Sequence, residues 1–297
     1  MGRPLDPQED LRIAVNAVLQ SEVAAWRPVS GGFSSAGLWV ITTASGSSYF
    51  VKAATTDDTA RFLRAEASVY EAVTAPFMPG IEAWVDDGNR PFLVMEDLSA
   101  CHWPPPWQDG QIAAVLETCA EIGQSAVPSG FAGTIDGALR RHYWPELAVH
   151  PEPLYRLGVA SGEWFEMAFP QLVSAESVAV VEGGSLVHGD MRSDNLCFGA
   201  EIVKVVDWNW AFVGNPDIDV VAWLPSLQLE RGPPPWELKT GQAPLVARIA
   251  GFFLHHATMP PNPDVRGDLR EFQRAQGSVA LAWAAHELAL PPPRGEA

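Results

Sequence analysis

The chain has 297 residues, room for one large domain or two small ones, and 47 % hydrophobic against 19 % charged residues supplies the apolar surface for a core and excludes a disordered chain. Asp and Glu outnumber Lys and Arg by 36 to 19, and the resulting net charge of −17 would repel nucleic acid and anionic lipid, so neither is an expected partner. The three cysteines, Cys101, Cys119 and Cys197, are widely spaced, which excludes a disulfide framework and a cysteine-based zinc site. No apolar run approaches the ~18–20 residues of a membrane span, and the first nine residues hold charges and prolines instead of an apolar leader, so a soluble, cytoplasmic protein is expected.

Residues 7–20 read as a helix, with Asp6 as N-cap, Pro7 in the first turn and an apolar stripe of Leu11, Val15, Val18 and Leu19. Residues 38–43 and 48–54 are β-branched and aromatic runs around Ala44-Ser45-Gly46-Ser47, the pattern of a hairpin. A helix over 58–74 follows, with Phe62, Leu63, Val69, Tyr70 and Val73 at helical spacing. Strands over 81–86 and 91–96 flank Asp87-Gly88-Asn89-Arg90, and the run Pro104-Pro105-Pro106 then stops regular structure. Beyond it the spacing predicts helices over 109–125, 135–148, 155–181, 217–228, 243–257 and 267–289, with one extended island over 185–207. Pro-rich loops fall at 232–235 and 259–263, and 291–297 reads as a tail. The layout is α+β in two lobes: a β-rich unit over 1–97 and a larger helical unit over 98–297.

The strongest chemical signal is His188-Gly189-Asp190-Met191-Arg192-Ser193-Asp194-Asn195. Short apolar runs, Ser185-Leu186-Val187 and Leu196-Cys197-Phe198, flank it, and a third run, residues 202–206, ends in Asp207-Trp208. Asp190, Asn195 and Asp207 thus stand at the ends of buried strands. Polar groups there are costly unless they are paired or bind something.

This arrangement, H-G-D-x-x-x-x-N with a further Asp downstream, resembles the catalytic loop and metal-binding Asp of the aminoglycoside phosphotransferase and choline kinase-like family, relatives of the protein kinases. The resemblance covers nearly the whole chain. It implies a bilobal protein-kinase-like fold, ATP and Mg²⁺ as cofactors, and transfer of the γ-phosphate to a hydroxyl of a small molecule. Phosphoryl transfer asks mainly for a hydroxyl held in line and cations on the phosphate oxygens. Asp190 would take or orient the hydroxyl proton, while Asn195 and Asp207 offer the hard oxygens that Mg²⁺ prefers.

A small lobe of this kind needs a glycine-bearing loop over the phosphates, a lysine on its third strand and a glutamate on the next helix. The segment Ser30-Gly31-Gly32-Phe33-Ser34-Ser35 supplies the loop, with Gly31, Gly32, Ser34 and Ser35 as candidate nucleotide contacts; a plain turn is the alternative. Lys52 interrupts the apolar strand Tyr49-Phe50-Val51-Lys52-Ala53. Glu66 shares a helix face with Phe62, Val69 and Val73, so it is expected to point into the core and need a cation, for which Lys52 is the partner; a rim glutamate at the edge of the face is the alternative. The segment Phe92-Leu93-Val94-Met95-Glu96-Asp97-Leu98 corresponds to the hinge, where backbone groups around Glu96 and Leu98 would meet adenine.

Met191 is apolar and should turn inward, which on extended backbone points Arg192 toward the cleft. There it would clamp the transferring phosphoryl group, or else it is a surface arginine paired with Asp194. By resemblance, Asp219 supports the catalytic-loop backbone, and His188 braces the loop. The net charge favours a cationic acceptor held by Glu163, Glu166, Asp194 and Asp217, whereas a site lined by Trp and Leu would favour an apolar one. An aminoglycoside-like or other antibiotic is the first expectation for the acceptor, with a role in antibiotic resistance. Choline, homoserine or sugar-like alcohols come second, and a non-catalytic pseudokinase is the alternative class.

Overall fold

The protein is seen here in a computed structural model that describes residues 7–29, 34–127, 131, 133, 138–199, 202–261 and 269–293. Helix α1 (Glu9–Leu19) leads into strands β1 (Val23–Pro28), β2 (Gly37–Thr43) and β3 (Ser48–Ala53), then α2 (Asp57–Ala72), β4 (Ile81–Val85) and β5 (Phe92–Glu96). The strands form one antiparallel sheet in the order β1-β2-β3-β5-β4. Val15 of α1 packs with Trp39, Ile41, Val51 and Val94 on one face, and Leu63 and Ala67 of α2 pack with Leu93 and Met95 on the other. Thr56 and Thr59 cap α2 reciprocally, which sets where it starts. Helix α1 begins at Glu9, two residues later than expected, with Gln8 at the N-cap position; Asp6 lies outside the described residues.

The rest of the chain is helical around two small hairpin-like pairings. Its helices are α3 (Gln111–Gln124), α4 (Trp144–Val149), α5 (Glu152–Tyr155), α6 (Gly162–Ser177), α7 (Asp217–Leu229), α8 (Pro235–Leu238), α9 (Ala243–Thr258) and α10 (Leu269–Glu287). Strand β6 (Ser185–Val187) pairs with β9 (Phe212–Gly214), and β7 (Leu196–Phe198) pairs with β8 (Val203–Val205). One continuous core holds this part together and includes the fully buried Trp144, Trp208, Trp223 and Trp283. The segment between α2 and β4 is stitched to it: the Val205 amide donates to the Phe77 carbonyl at 2.7 Å, and Lys204 donates to the Met78 carbonyl at 2.8 Å.

Two helix expectations need correction. The stretch 155–181 is not one helix: Gly158 adopts φ +62°, and Ser161 then caps α6 by accepting the Trp164 amide at 3.1 Å. Within 135–148 only the part from Trp144 is helical among the described residues. The buried carboxylate of Glu176, distant in sequence, takes the amides of Tyr143 and Trp144 at 2.9 and 3.0 Å and starts α4 there. None of the described helices is long and apolar enough to cross a membrane.

Candidate active site

The two hairpin-like pairings hold the loops that follow β6 and β8 side by side. His188, at the exit of β6, is fully buried and packs edge-on against Trp208. Its Nδ1 accepts the Asp190 amide at 3.2 Å and its Nε2 faces the Val206 carbonyl at 3.0 Å. Those partners require the neutral Nε2–H tautomer, and burial, outweighing the nearby charges, pushes the pKa down to about 4. Asp219, at the start of α7, accepts the His188 and Gly189 amides at 2.8 and 2.9 Å, and burial raises its pKa to about 6 against those two bonds. Gly189 has φ +80°, and a Cβ there would lie 2.5 Å from the Trp210 carbonyl oxygen, so only glycine fits. His188 and Asp219 therefore brace this loop.

Asp190 follows. Burial pushes its carboxyl up to about 7, although Arg192, 3.6 Å away, pulls in the opposite direction. Met191 is buried, as its apolar side chain predicts. Arg192 meets Asp194 with two hydrogen bonds of 2.9 Å, so the pairing is real, but the side chain is only 13 % exposed and lies over the Phe272 ring beside Asp190. It is not a surface arginine. The Asn195 amide nitrogen donates to the Asp190 carbonyl and carboxylate at 2.8 and 3.3 Å. This orientation leaves Asn195 Oδ1 without a partner among the described residues.

Asp207, at the exit of β8, has φ +67°, a left-handed conformation rare for a residue with a side chain. Its Oδ1 receives Lys52 Nζ at 2.5 Å, and the same nitrogen reaches Glu66 Oε2 at 2.6 Å. Tyr70, one turn along α2, donates to the other Glu66 oxygen at 3.1 Å. The expected Lys52–Glu66 pair is thus formed, and Asp207 completes a triad. Burial works against the Lys52 charge, but the two carboxylates outweigh it and hold its pKa above the ordinary value. Burial likewise works against Asp207 ionisation, and Lys52 overcomes it, holding that pKa down.

Between the sheet and this polar cluster lies a cleft of about 520 Å³. Leu38, Val40, Phe50, Met95 and Val206 line it with apolar surface, and Lys52, Asn195 and Asp207 line it with polar groups. Ser34, Glu96 and Leu98 border it as expected. Ser35 is engaged otherwise: its carbonyl accepts the Thr55 hydroxyl at 2.8 Å. Gly31 and Gly32 lie outside the described residues. The Glu96 carboxylate is bound to the Gly80 amide at 3.0 Å and to Lys204 at 3.4 Å, so any ligand contact there belongs to the backbone. Leu98 offers an amide without a partner among the described residues, while its carbonyl takes the Cys101 amide and the Trp103 indole. Trp103 and Pro104 line the cleft as well, a contribution that sequence reading missed, because Trp-Pro-Pro-Pro-Trp carries no periodic signal.

Two of the four carboxylates expected around the acceptor are already paired with cations of the chain. Asp194 is committed to Arg192, and Asp217 is committed to Lys239 at 2.9 Å. Glu163 and Glu166 sit on α6, which packs on α4 and α9. Net charge sums the whole surface and says nothing about where carboxylates gather, so it does not by itself place a site for a cationic acceptor.

The sequence model of a family described as phosphotransferase enzymes matches residues 25–261. The chain belongs to the phosphotransferase enzyme family. It is an enzyme of the class that phosphorylates small-molecule alcohols. None of the curated proteins matches its sequence. Among solved structures, a choline/ethanolamine kinase family protein from Mesorhizobium loti is 13 % identical with a TM-score of 0.60, over 95 % of this chain and 97 % of that one. A choline kinase from Cryptosporidium parvum is 11 % identical with a TM-score of 0.54, over 89 % and 90 %. An aminoglycoside phosphotransferase from Streptomyces rimosus is 14 % identical with a TM-score of 0.44, over 92 % and 99 %. At these identities the first two likenesses speak of fold, and the fold is the expected α+β protein-kinase-like one.

Among the described residues of this phosphotransferase, no three or more His, Cys, Asp or Glu side chains are grouped as a metal cage. What the site offers is Asn195 Oδ1 and the second Asp207 oxygen, each without a protein partner among the described residues. Two hard oxygens with the remainder supplied by phosphate and water is the donor set that suits Mg²⁺, so the residues fit.

Proposed function

We propose that this phosphotransferase moves the γ-phosphoryl group of ATP to a hydroxyl of a small molecule. Residues 1–97 would hold the nucleotide, and residues 98–297 would supply the catalytic loop and the acceptor site. The reading rests above all on Lys52, whose ammonium bridges Glu66 and Asp207 in the wall of the cleft. That bridge ties the sheet to the loop carrying Asp207, which lies beside the one carrying Asp190, and fixes a cation where phosphate oxygens would lie. Adenine would enter between Val40 and Met95 and meet the Leu98 amide. Mg²⁺, held by Asn195 and Asp207, would neutralise charge on the phosphates.

Asp190 would accept the hydroxyl proton while the acceptor oxygen bonds to the γ-phosphorus and the bond to the ADP oxygen breaks. Its burial supports this role, since a base with a pKa near neutrality matches proton affinity to working pH. Arg192 stands at the same point and would meet charge on the transferring group. An aminoglycoside-like or other antibiotic is the first acceptor to try; choline, homoserine and sugar-like alcohols are the second set. The intact set of Lys52, Glu66, Asp190, Asn195 and Asp207 weighs against a pseudokinase. The test is a panel of such alcohols with labelled ATP, followed by Asp190→Ala on whichever is phosphorylated. Transfer should fall by about 10²–10⁴-fold while nucleotide binding persists. Turnover close to wild type would remove Asp190 from the reaction.

A further inference from the structure

Helix α7 runs beneath the catalytic loop, and Asp219 at its first turn holds the loop's beginning. Positions 219, 223, 226 and 230 recur on one face of a helix. Glu230, the residue immediately after α7, therefore continues the Asp219 side about 16 Å farther on at 1.5 Å per residue. A carboxylate at a helix C-terminus faces the negative end of the helix dipole, so it is not there to stabilise α7.

Its two oxygens are both used. One accepts the Ser193 hydroxyl, and the other accepts the Trp107 indole N–H at 2.8 Å. Ser193 is buried and opens the 3₁₀ turn Ser193–Asn195. Trp107 is itself wedged against Trp223 and Phe198. Glu230 thus joins three segments: the end of α7, the turn that carries Asn195, and the proline-rich strap that borders the nucleotide cleft through Trp103 and Pro104.

We propose that Glu230 is a positioning residue: through Ser193 it fixes the turn that presents Asn195 Oδ1 to the nucleotide-bound metal, with Trp107 holding the Glu230 carboxylate in that pose. Asp219 and Glu230 then splint the two halves of the catalytic loop from one helix. The proposal rests on reading Asn195 as a metal ligand.

The experiment separates the two readings. Binding of a non-hydrolysable ATP analogue is measured by calorimetry on the full chain, once in EDTA and once in excess Mg²⁺. The ratio of the two affinities is the metal-dependent gain. Ser193→Ala and Glu230→Ala should each lower that gain about tenfold, the lower end of what losing an outer partner of a metal ligand costs. Affinity in EDTA should stay unchanged, and the double variant should lose no more than either single one. Glu230→Gln should retain the gain to within about twofold, because a serine hydroxyl can accept as well as donate and both contacts survive. If Glu230→Ala fails to fold, Ser193→Ala and Glu230→Gln still decide. An unchanged gain in Ser193→Ala, or losses that multiply in the double variant, overturns the proposal. Asn195→Ala is the control. Gain lost there but intact in Glu230→Ala sinks the positioning role alone, whereas gain intact in Asn195→Ala sinks the metal reading and the proposal with it.

Discussion

Replacing His188 with glutamine should change how the protein's stability responds to acid. His188 is fully buried as a neutral imidazole, with a folded pKa of about 4 set first by burial. In the unfolded chain a histidine titrates near 6.5. A histidine whose folded pKa is depressed contributes stability above about pH 6.5, and that contribution is lost as pH falls toward about 4, because only the unfolded chain takes up the proton. At about 1.4 kcal/mol per pH unit, the full loss is about 3 kcal/mol, and at about pH 4.5 it is already about 2.5 kcal/mol. Asp219 and Asp190 act in the opposite sense: burial raises their pKa values to about 6 and about 7, so the folded chain takes up their protons first and acid stabilises it. Both carboxylates remain in the variant, so the difference between the two proteins isolates His188. Near pH 7, wild type should be the more stable by about 1–3 kcal/mol, the cost of disturbing the bonds to Asp190 and Val206. Urea unfolding repeated down to about pH 4.5 should show that advantage shrinking by about 2.5 kcal/mol. A constant advantage over that range, or an imidazole nitrogen signal titrating near 6.5, would refute the reasoning.

Two further outcomes are expected. Lys52→Met leaves the buried Glu66 without its cation, so unfolding free energy should drop by about 3 kcal/mol and ATP affinity should collapse; urea unfolding and nucleotide titration check both, and wild-type behaviour in either would contradict the bridge. Arg192→Ala should lower kcat more than it raises KM for ATP, with Arg192→Lys recovering part of the rate, since an ammonium replaces the charge but not the two-pronged contact with Asp194; an unchanged kcat would leave Arg192 as a prop for Asp194.

The local pattern carried four of the sheet's five strands, β2 to β5, because alternation, helical spacing and turn residues act over a few positions; the strand order and β1 were not legible in it. Strands 48–54 and 91–96 and the helix over 58–74 were legible in this way, and so was the inward turn of Glu66, since an apolar helix face leaves its carboxylate nowhere else to go. The spacing from His188 to Asp207 announced the chemistry because those residues sit close in sequence at strand ends. Other features answer to partners far away in the chain, and no local pattern records them. Helix α4 starts where Glu176 caps it from a distance, and β9 is a strand only because β6 offers an edge to pair with. The left-handed turn at Asp207 goes with a lysine 155 residues earlier in the chain. Whether Arg192 faced solvent or Asp190 depended on Phe272 closing over it from α10. Glu230 looked like one more acid in an acidic chain until folding brought Ser193 and Trp107 to its two oxygens. Charge and composition add over the whole sequence; which carboxylates meet, and what they hold, is decided by packing.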